Sequence, residues 1–206
     1  MASIMISALR ASLVAWLLCG ILYPLAVTGL ARKLFPTQAN GSLVTGPDGT
    51  IRGSLLIGQH WDGPQWFHGR PSATTDADPA DPSKTVPAPY NAAASSGSNY
   101  GPTSRALADR LAGDRKALED AQPELAGIAL PSDMLTASAS GLDPDISPAN
   151  AMMQVARVAR SRNLAEEQVL ALVQTQMKGR ALGLFGEPRV NVLALNLALD
   201  GLLGSR

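Results

Sequence analysis

Between Arg10 and Arg32 the chain reads ASLVAWLLCGILYPLAVTGLA, Ala11 to Ala31, 21 residues without a charge. At about 1.5 Å of rise per residue, a helix of that length is roughly 31 Å long, which matches a hydrocarbon core about 30 Å thick. Trp16 and Tyr23 lie inside the run, and Arg32, Lys33 and Phe35 follow it as interfacial anchors would. Pro24 falls late in the run, where a membrane helix tolerates a kink. A cleaved secretory signal is the alternative, with Ala26-Val27-Thr28 as its small-residue site. Against it, the apolar run is longer than the roughly 7–15 residues of a signal core and continues to a basic stop. A lipoprotein reading through Cys19 is disfavoured by the bulky Leu18 before it. We therefore expect an uncleaved, single-pass anchor over residues 1–33 and one extramembrane domain over 34–206. Orientation is nearly a draw on charge, with Arg10 and the terminal amine set against Arg32 and Lys33.

Working outward, the 206 residues carry 17 basic and 17 acidic side chains, two histidines and one cysteine. Residues 1–33 hold three of the basic groups and no acid, so the remainder is faintly acidic. No stretch after Lys33 clusters Lys and Arg as a phosphate-binding surface needs, which argues against nucleic acid. A single cysteine excludes a disulfide framework and a cysteine-based zinc site.

Beyond the anchor, residues 35–53 are turn-rich, and Ser42–Thr45 and Ile51-Arg52 suggest a small hairpin around Pro47–Gly49. Gly53–Gln59 (GSLLIGQ) reads as a short buried strand. Trp61, Trp66, Phe67 and His68 then form an aromatic cluster ending in Gly69-Arg70-Pro71-Ser72. Residues 73–102, with Pro79, Pro82, Pro87 and Pro89, read as a long loop without regular structure. Thr103 is placed to cap a helix carrying Leu107, Leu111 and Leu118 and ending before Pro123. Residues 127–147 read as extended and turn-punctuated. Ser147-Pro148 is a helix start, with Met152, Val155 and Val158 or Ala159 as the apolar stripe. Asn163 with Glu166 suggests a second start, followed by a face of Val169, Leu172, Val173 and Met177 up to Gly179. Arg189–Val192 fits a strand, and Leu193–Leu202 fits either its continuation or a final helix. Segregated short strands and helices without an internal repeat predict an α+β domain.

Chemical motifs are sparse. There is no Gly-x-Ser-x-Gly elbow, no Ser-x-x-Lys pair, no phosphate loop and no Gly-x-Gly-x-x-Gly. His60 and His68 lie among tryptophans rather than carboxylates, and they read as ordinary packed or surface histidines. Asp143 and Asp145 around Pro144 have the composition of an acid and base pair but read more simply as loop-forming aspartates. Ser95–Asn99 is a small-residue run able to cradle an anion if its amides converge. We expect no metal and no catalytic residue.

Seven blocks occur in order: Gly53–Gln59; Phe67–Ser72; Tyr90-Asn91; Ser96-Gly97-Ser98-Asn99 with Gly101-Pro102; Thr136–Pro148; Gln154–Ala159; and Arg189–Leu199. Together they resemble the C subunit of the bacterial Kdp potassium-transporting ATPase, over the whole chain. The resemblance implies a non-catalytic subunit in the bacterial inner membrane. Its partners would be a channel-like potassium-translocating subunit, a P-type ATPase subunit and a small single-span subunit. It further implies a catalytic chaperone that raises the ATP affinity of the ATPase subunit, with no tightly bound cofactor of its own. By comparison with the signature loop of ABC transporters, Ser96, Gly97, Ser98 and Asn99 become candidate nucleotide contacts. Here Ser96 stands where the pattern often has a second glycine, and residues 73–88 look inserted. If the domain is periplasmic, it cannot touch cytoplasmic ATP, and any effect on affinity is indirect. Gln59, Arg70, Ser72, Asn91, Ser140 and Asp143, with Ser98 and Asn99, are the expected interface or loop-fixing positions. A free-standing anchored binding protein or enzyme is the rival reading.

Overall fold

A computed structural model describes residues 1–204; the last two residues of the expected 34–206 domain lie outside the described residues. The chain divides into two compact units, Met1–Arg52 and Gly53–Arg206.

In the first unit, one continuous helix runs from Ala2 to Leu34, longer at both ends than the uncharged run alone requires. It comprises α1 (Ala2–Trp16), a π-helical turn (Leu17–Leu22) and α2 (Tyr23–Leu34). The wide turn has a local cause. Pro24 has no N–H, and its ring crowds the carbonyl four residues back, at Gly20. A π turn, in which the Tyr23 N–H reaches Leu18 O, absorbs the misfit without breaking the helix. A single turn, α3 (Pro36–Ala39), and strand β1 (Leu43–Thr45) follow. The expected hairpin is present: β1 pairs with β2 (Ile51–Ser54), and Gly46 N donates to Thr50 O at 2.8 Å to close it.

The second unit is mixed helix and strand, as an α+β domain should be. Gly53–Gln59 is not a buried strand, because β2 ends at Ser54. The Ser54 hydroxyl accepts from Leu56 N at 3.1 Å, and Ile57 N donates to Ser54 O, so the chain turns and leaves Leu56 and Ile57 exposed. Within 73–102 there is regular structure after all: β3 (Thr75–Ala77) pairs antiparallel with β4 (Thr85–Pro87), Asp76 opposite Val86. Pro79 and Pro82 sit in the connecting turn and Pro87 ends its strand, where missing N–H groups cost little.

Helix α4 (Arg105–Ala121) is capped by Ser104, one residue beyond the expected Thr103, and its three leucines are only half-buried. Two short 3₁₀ turns, Pro123–Leu125 and Ser132–Met134, lead to β5 (Asp145–Ile146). In α5 (Pro148–Arg162) the Ser147 hydroxyl accepts from Asn150 N, the cap its sequence predicts. Met152 is exposed, and Ala151 takes its expected place beside Val155, Val158 and Ala159.

Asn163 ends α5 instead of starting the next helix. It adopts φ +52, and the Leu164 N–H reaches back to Ala159 O at 3.0 Å, a left-handed cap whose following apolar residue packs on the core. Helix α6 (Glu166–Gln176) starts from Ala165, and β6 (Met177–Lys178), β7 (Arg189–Asn191) and α7 (Val192–Gly204) complete the unit. The last segment is thus a helix, the second of the two expected forms. Strand β7 lies between β5 and β6, antiparallel to both. The core gathers Phe67, Ile146, Val155, Val158, Val169, Val173, Val190, Leu195 and Leu199, with Trp61 and Met177 packed against it.

Candidate functional site

The aromatic segment after β2 has no regular structure of its own, so its buried backbone groups need side-chain partners. Helices α5 and α7 supply them. Asn196 Oδ1 accepts from Phe67 N at 2.9 Å while its Nδ2 donates to Phe67 O at 2.9 Å, and both residues are fully buried. Gln154 treats His68 the same way, accepting from its N–H at 2.8 Å and donating to its carbonyl at 3.0 Å. Arg157 donates to the carbonyls of Pro64 (2.6 Å) and Trp66 (2.9 Å) and to Gln154 Oε1. Burial lowers the Arg157 pKa to about 10, against the opposing pull of the Glu124 charge. The Arg162 guanidinium lies 4.2 Å over the Trp66 ring.

A second group of loops is bound to this segment. The Arg70 guanidinium pairs with Asp143 Oδ2 at 3.0 Å and points a second nitrogen at the carbonyls of Thr136 and Ala137. The Ser72 hydroxyl donates to Gly141 O at 2.8 Å and accepts from Tyr90 N at 3.0 Å. Tyr90 in turn donates its hydroxyl to Arg70 O at 2.7 Å; burial, reinforced by the Asp143 charge, pushes its pKa up to about 12. Asn91 Nδ2 donates to Thr75 O, and Asn91 Oδ1 accepts from Ala93 N. Ser140 Oγ accepts from Leu142 N, and the Ser140 carbonyl accepts from Ser95 Oγ. Gly141 has φ +69, and a Cβ there would meet Ser96 O at 2.7 Å, so the 95–97 and 138–141 loops can close on each other only through a glycine. A cavity of about 430 Å³ opens beside these loops, lined by Trp61, His68, Arg70, Tyr90, Asp114 and Leu118 among others.

The family described as KdpC, the c chain of K⁺-transporting ATPases, matches residues 5–201. A protein of Methylobacterium nodulans called potassium-transporting ATPase KdpC subunit is 61% identical over 188 residues, covering 91% of this chain and 92% of that one. A protein of the same description from Rhodopseudomonas palustris (strain BisB5) is 59% identical over 193 residues, covering 94% of each. A third, from Methylorubrum extorquens, is 62% identical over 180 residues, 87% of this chain and 88% of its own.

The chain belongs to the KdpC family.

The blocks that carried the KdpC resemblance are widely spaced in sequence, and four of them supply the loops just described. Arg70, Ser72, Asn91, Ser140 and Asp143 all take part in one network of loops. Gln59 lies half-buried at its edge, where a Cβ on Gly53 would collide with its amide. Ser96 donates to Ala73 O at 3.3 Å, and Gly97 packs so tightly on Ala139 that a Cβ would lie 2.7 Å from the carbonyl oxygen. Among the described residues no hydrogen bond reaches the side chain of Ser98 or Asn99; Asn99 is exposed at φ +53.

Asp143 and Asp145 are drawn to different partners, Arg70 for the first and Arg189 at 3.0 Å for the second. His68 points Nε2 at Gly63 O (2.9 Å), and burial, then the nearby Arg157 charge, holds its pKa below the usual imidazole range. His60 lies beside Asp62 at the surface. Among the described residues no three His, Cys, Asp or Glu side chains group as metal ligands.

Gln154, Arg157 and Asn196 were not expected as key positions. Their signal was present: each interrupts an apolar helical face, and a polar residue in such a face needs a buried partner.

Proposed function

We propose that this chain is the accessory subunit of an ATP-driven potassium importer in the bacterial inner membrane. Held by its N-terminal helix, it assembles with a channel-like translocating subunit, a P-type ATPase subunit and a small single-span subunit, and it breaks no bond itself. The observation that carries this reading is the employment of polar side chains in the loop network. Arg70, Ser72, Asn91, Ser140 and Asp143 bond chiefly to loop backbone, which suits fixing a shape better than attacking a substrate. The apolar helix supports it too: none of its most apolar window is buried by the chain, so lipid or other subunits' helices must cover it.

In this reading the domain is periplasmic, and the chain raises the ATP affinity of the ATPase subunit through the assembly. Ser96 and Gly97 favour that indirect route, since both are engaged within the loops.

Co-expression with the other Kdp subunits, with an affinity tag on this chain, tests the proposal. The three companions should co-purify, and omitting this chain should raise the ATP concentration that half-saturates the ATPase. Purification of the chain alone from such cells would sink the reading. Saturable ATP binding by the chain alone, lost on Ser98→Ala, would replace the indirect route with a direct one. For sidedness, Cys19→Ala combined with Ser98→Cys or Ala80→Cys should be labelled by an impermeant thiol reagent in intact cells; labelling of both only after lysis would place the domain in the cytoplasm.

A further inference from the structure

The segment between β6 and β7 is a hairpin whose tip is apolar. Leu182, Leu184 and Phe185 are 89%, 75% and 65% exposed. The tip is well built. Leu184 N and Phe185 N both donate to Ala181 O, at 3.1 and 2.9 Å, and Ala181 N donates to Phe185 O at 2.8 Å. Below it, Arg180 Nη2 bridges both oxygens of Glu187 at 2.8 and 2.9 Å. The stem is rooted in the core, where Met177 faces the fully buried Val190. The three side chains are therefore held out on a defined support.

One detail sets the tip apart from an ordinary turn. Leu182 has φ +53 and Gly183 φ +75. Turns with two positive φ values favour Asn, Asp or Gly at the first of these positions, because the Cβ is crowded there and only a short polar side chain offsets this by local hydrogen bonding. A leucine at that place opposes local stability. Backbone strain of this kind persists where the residue is needed for something else.

Building on the accessory-subunit reading, we infer that the Ala181–Phe185 tip is a docking anchor that inserts Leu182, Leu184 and Phe185 into an apolar pocket on a protein subunit of the potassium-transporting complex. Its size argues against a second copy of this chain. The three side chains offer roughly 400 Å², about half of the ~800 Å² per partner that a stable two-body interface buries. Such a patch suits an anchor inside a larger assembly. A lipid surface fits less well, because interfacial segments carry Trp or Tyr with unpaired Lys or Arg. Here Arg180 is tied to Glu187 in a pair without net charge, and residues 177–189 hold neither Trp nor Tyr. A fixed, strained presentation also matches a shaped protein pocket, where preorganised side chains lose little freedom on docking.

The test is made in the co-expressed complex with the full chain. L182N should relieve the strained turn, leaving the melting temperature of the purified full chain unchanged or raised, while weakening its association with the companion subunits about tenfold or more. F185S should weaken association likewise. A photoreactive residue at position 184 should cross-link to a companion protein subunit. Association of L182N at the wild-type level, a lowered melting temperature for L182N, or cross-links confined to lipid or to a second copy would each overturn the inference. If the unaltered chain fails to bring down its companions, the accessory-subunit reading itself falls and takes this one with it.

Discussion

Replacing Asn196 by Leu keeps the branching at Cγ and the heavy-atom count, and removes both hydrogen bonds to Phe67, whose N–H and carbonyl have Asn196 as their partner at 2.9 Å each. Both residues are 0% exposed, so water cannot take over. Each buried backbone group left unpaired costs about 1–3 kcal/mol. The new leucine methyl groups return about 1 kcal/mol of apolar burial. The net loss is therefore about 1–5 kcal/mol, and at about 2–4 °C per kcal/mol for a unit of this size the melting temperature should fall by roughly 2–20 °C. Circular dichroism melts of the full chain in detergent, variant against wild type, measure it.

Asn196→Asp separates the hydrogen-bond account from a packing one. Aspartate keeps an acceptor for Phe67 N but sets a carboxylate against Phe67 O. Burial and that carbonyl raise the aspartate's folded pKa above its unfolded value, so the folded variant binds the extra proton. Once protonated it regains a donor, so its deficit relative to wild type should shrink as pH falls from 7 to about 4.5. An N196L melt within 2 °C of wild type, or an N196D deficit that does not change with pH, would refute the reasoning.

Two further outcomes are expected. His68 is held below the usual imidazole value of 6.5 by burial and by Arg157, so it is neutral in the folded chain while the unfolded chain takes up a proton near that value. Stability should fall as pH drops below about 6.5 and through the folded pKa; denaturant unfolding at pH 7 and pH 5 should show a smaller loss for His68→Gln, and equal losses would contradict the assignment. Gly97→Ala places a methyl 2.7 Å from Ala139 O, a backbone atom that cannot swing aside. The expected cost is about 1–3 kcal/mol in thermal melts, independent of added ATP, and a neutral substitution would show that the 97–139 contact is not tight.

Elements with a local signature were legible in the sequence. The 21-residue uncharged run, the Ser147-Pro148 start and the Val169–Val173 face each depend on neighbours within a few residues, and the structure holds them where the pattern places them; Met177, expected on the same helix, lies instead in β6. Misreadings arose where a side chain competes with the backbone. Ser54 diverts β2 by bonding Leu56 N, and Asn163 accepts a left-handed conformation that makes it an end rather than a start. The site was half legible. Arg70, Ser72 and Asp143 stood out as polar residues in short ordered blocks, but their partners lie 66 to 73 residues away, a separation no local pattern encodes. Asn196 and Gln154 could have been singled out as polar breaks in apolar helices, although nothing in the sequence says that they bind Phe67 and His68. The tip at 181–185 carries the opposite signal, an apolar run that the fold leaves uncovered.

A chain that breaks no bond can alter a partner's affinity for ATP only by contacting the partner's states unequally. The magnitude needed is modest. Each factor of ten in affinity is about 1.4 kcal/mol, while truncating one hot-spot side chain costs an interface about 2 kcal/mol or more. One anchor that fits better in the ATP-bound state than in the empty one is therefore sufficient in principle, provided the body behind it does not yield. The loop network meets that condition. Asn196, Gln154 and Arg157 fix the aromatic segment to the helices, and Ser72 and Arg70 fix the loops to that segment, through buried or half-buried bonds. A softer domain would dissipate the difference in its own loops. If the chain acts on the ATPase subunit as proposed, loosening the network with N196L should reduce its effect on ATP affinity even though Asn196 is fully buried, and an unchanged effect would show that rigidity is not what the network supplies.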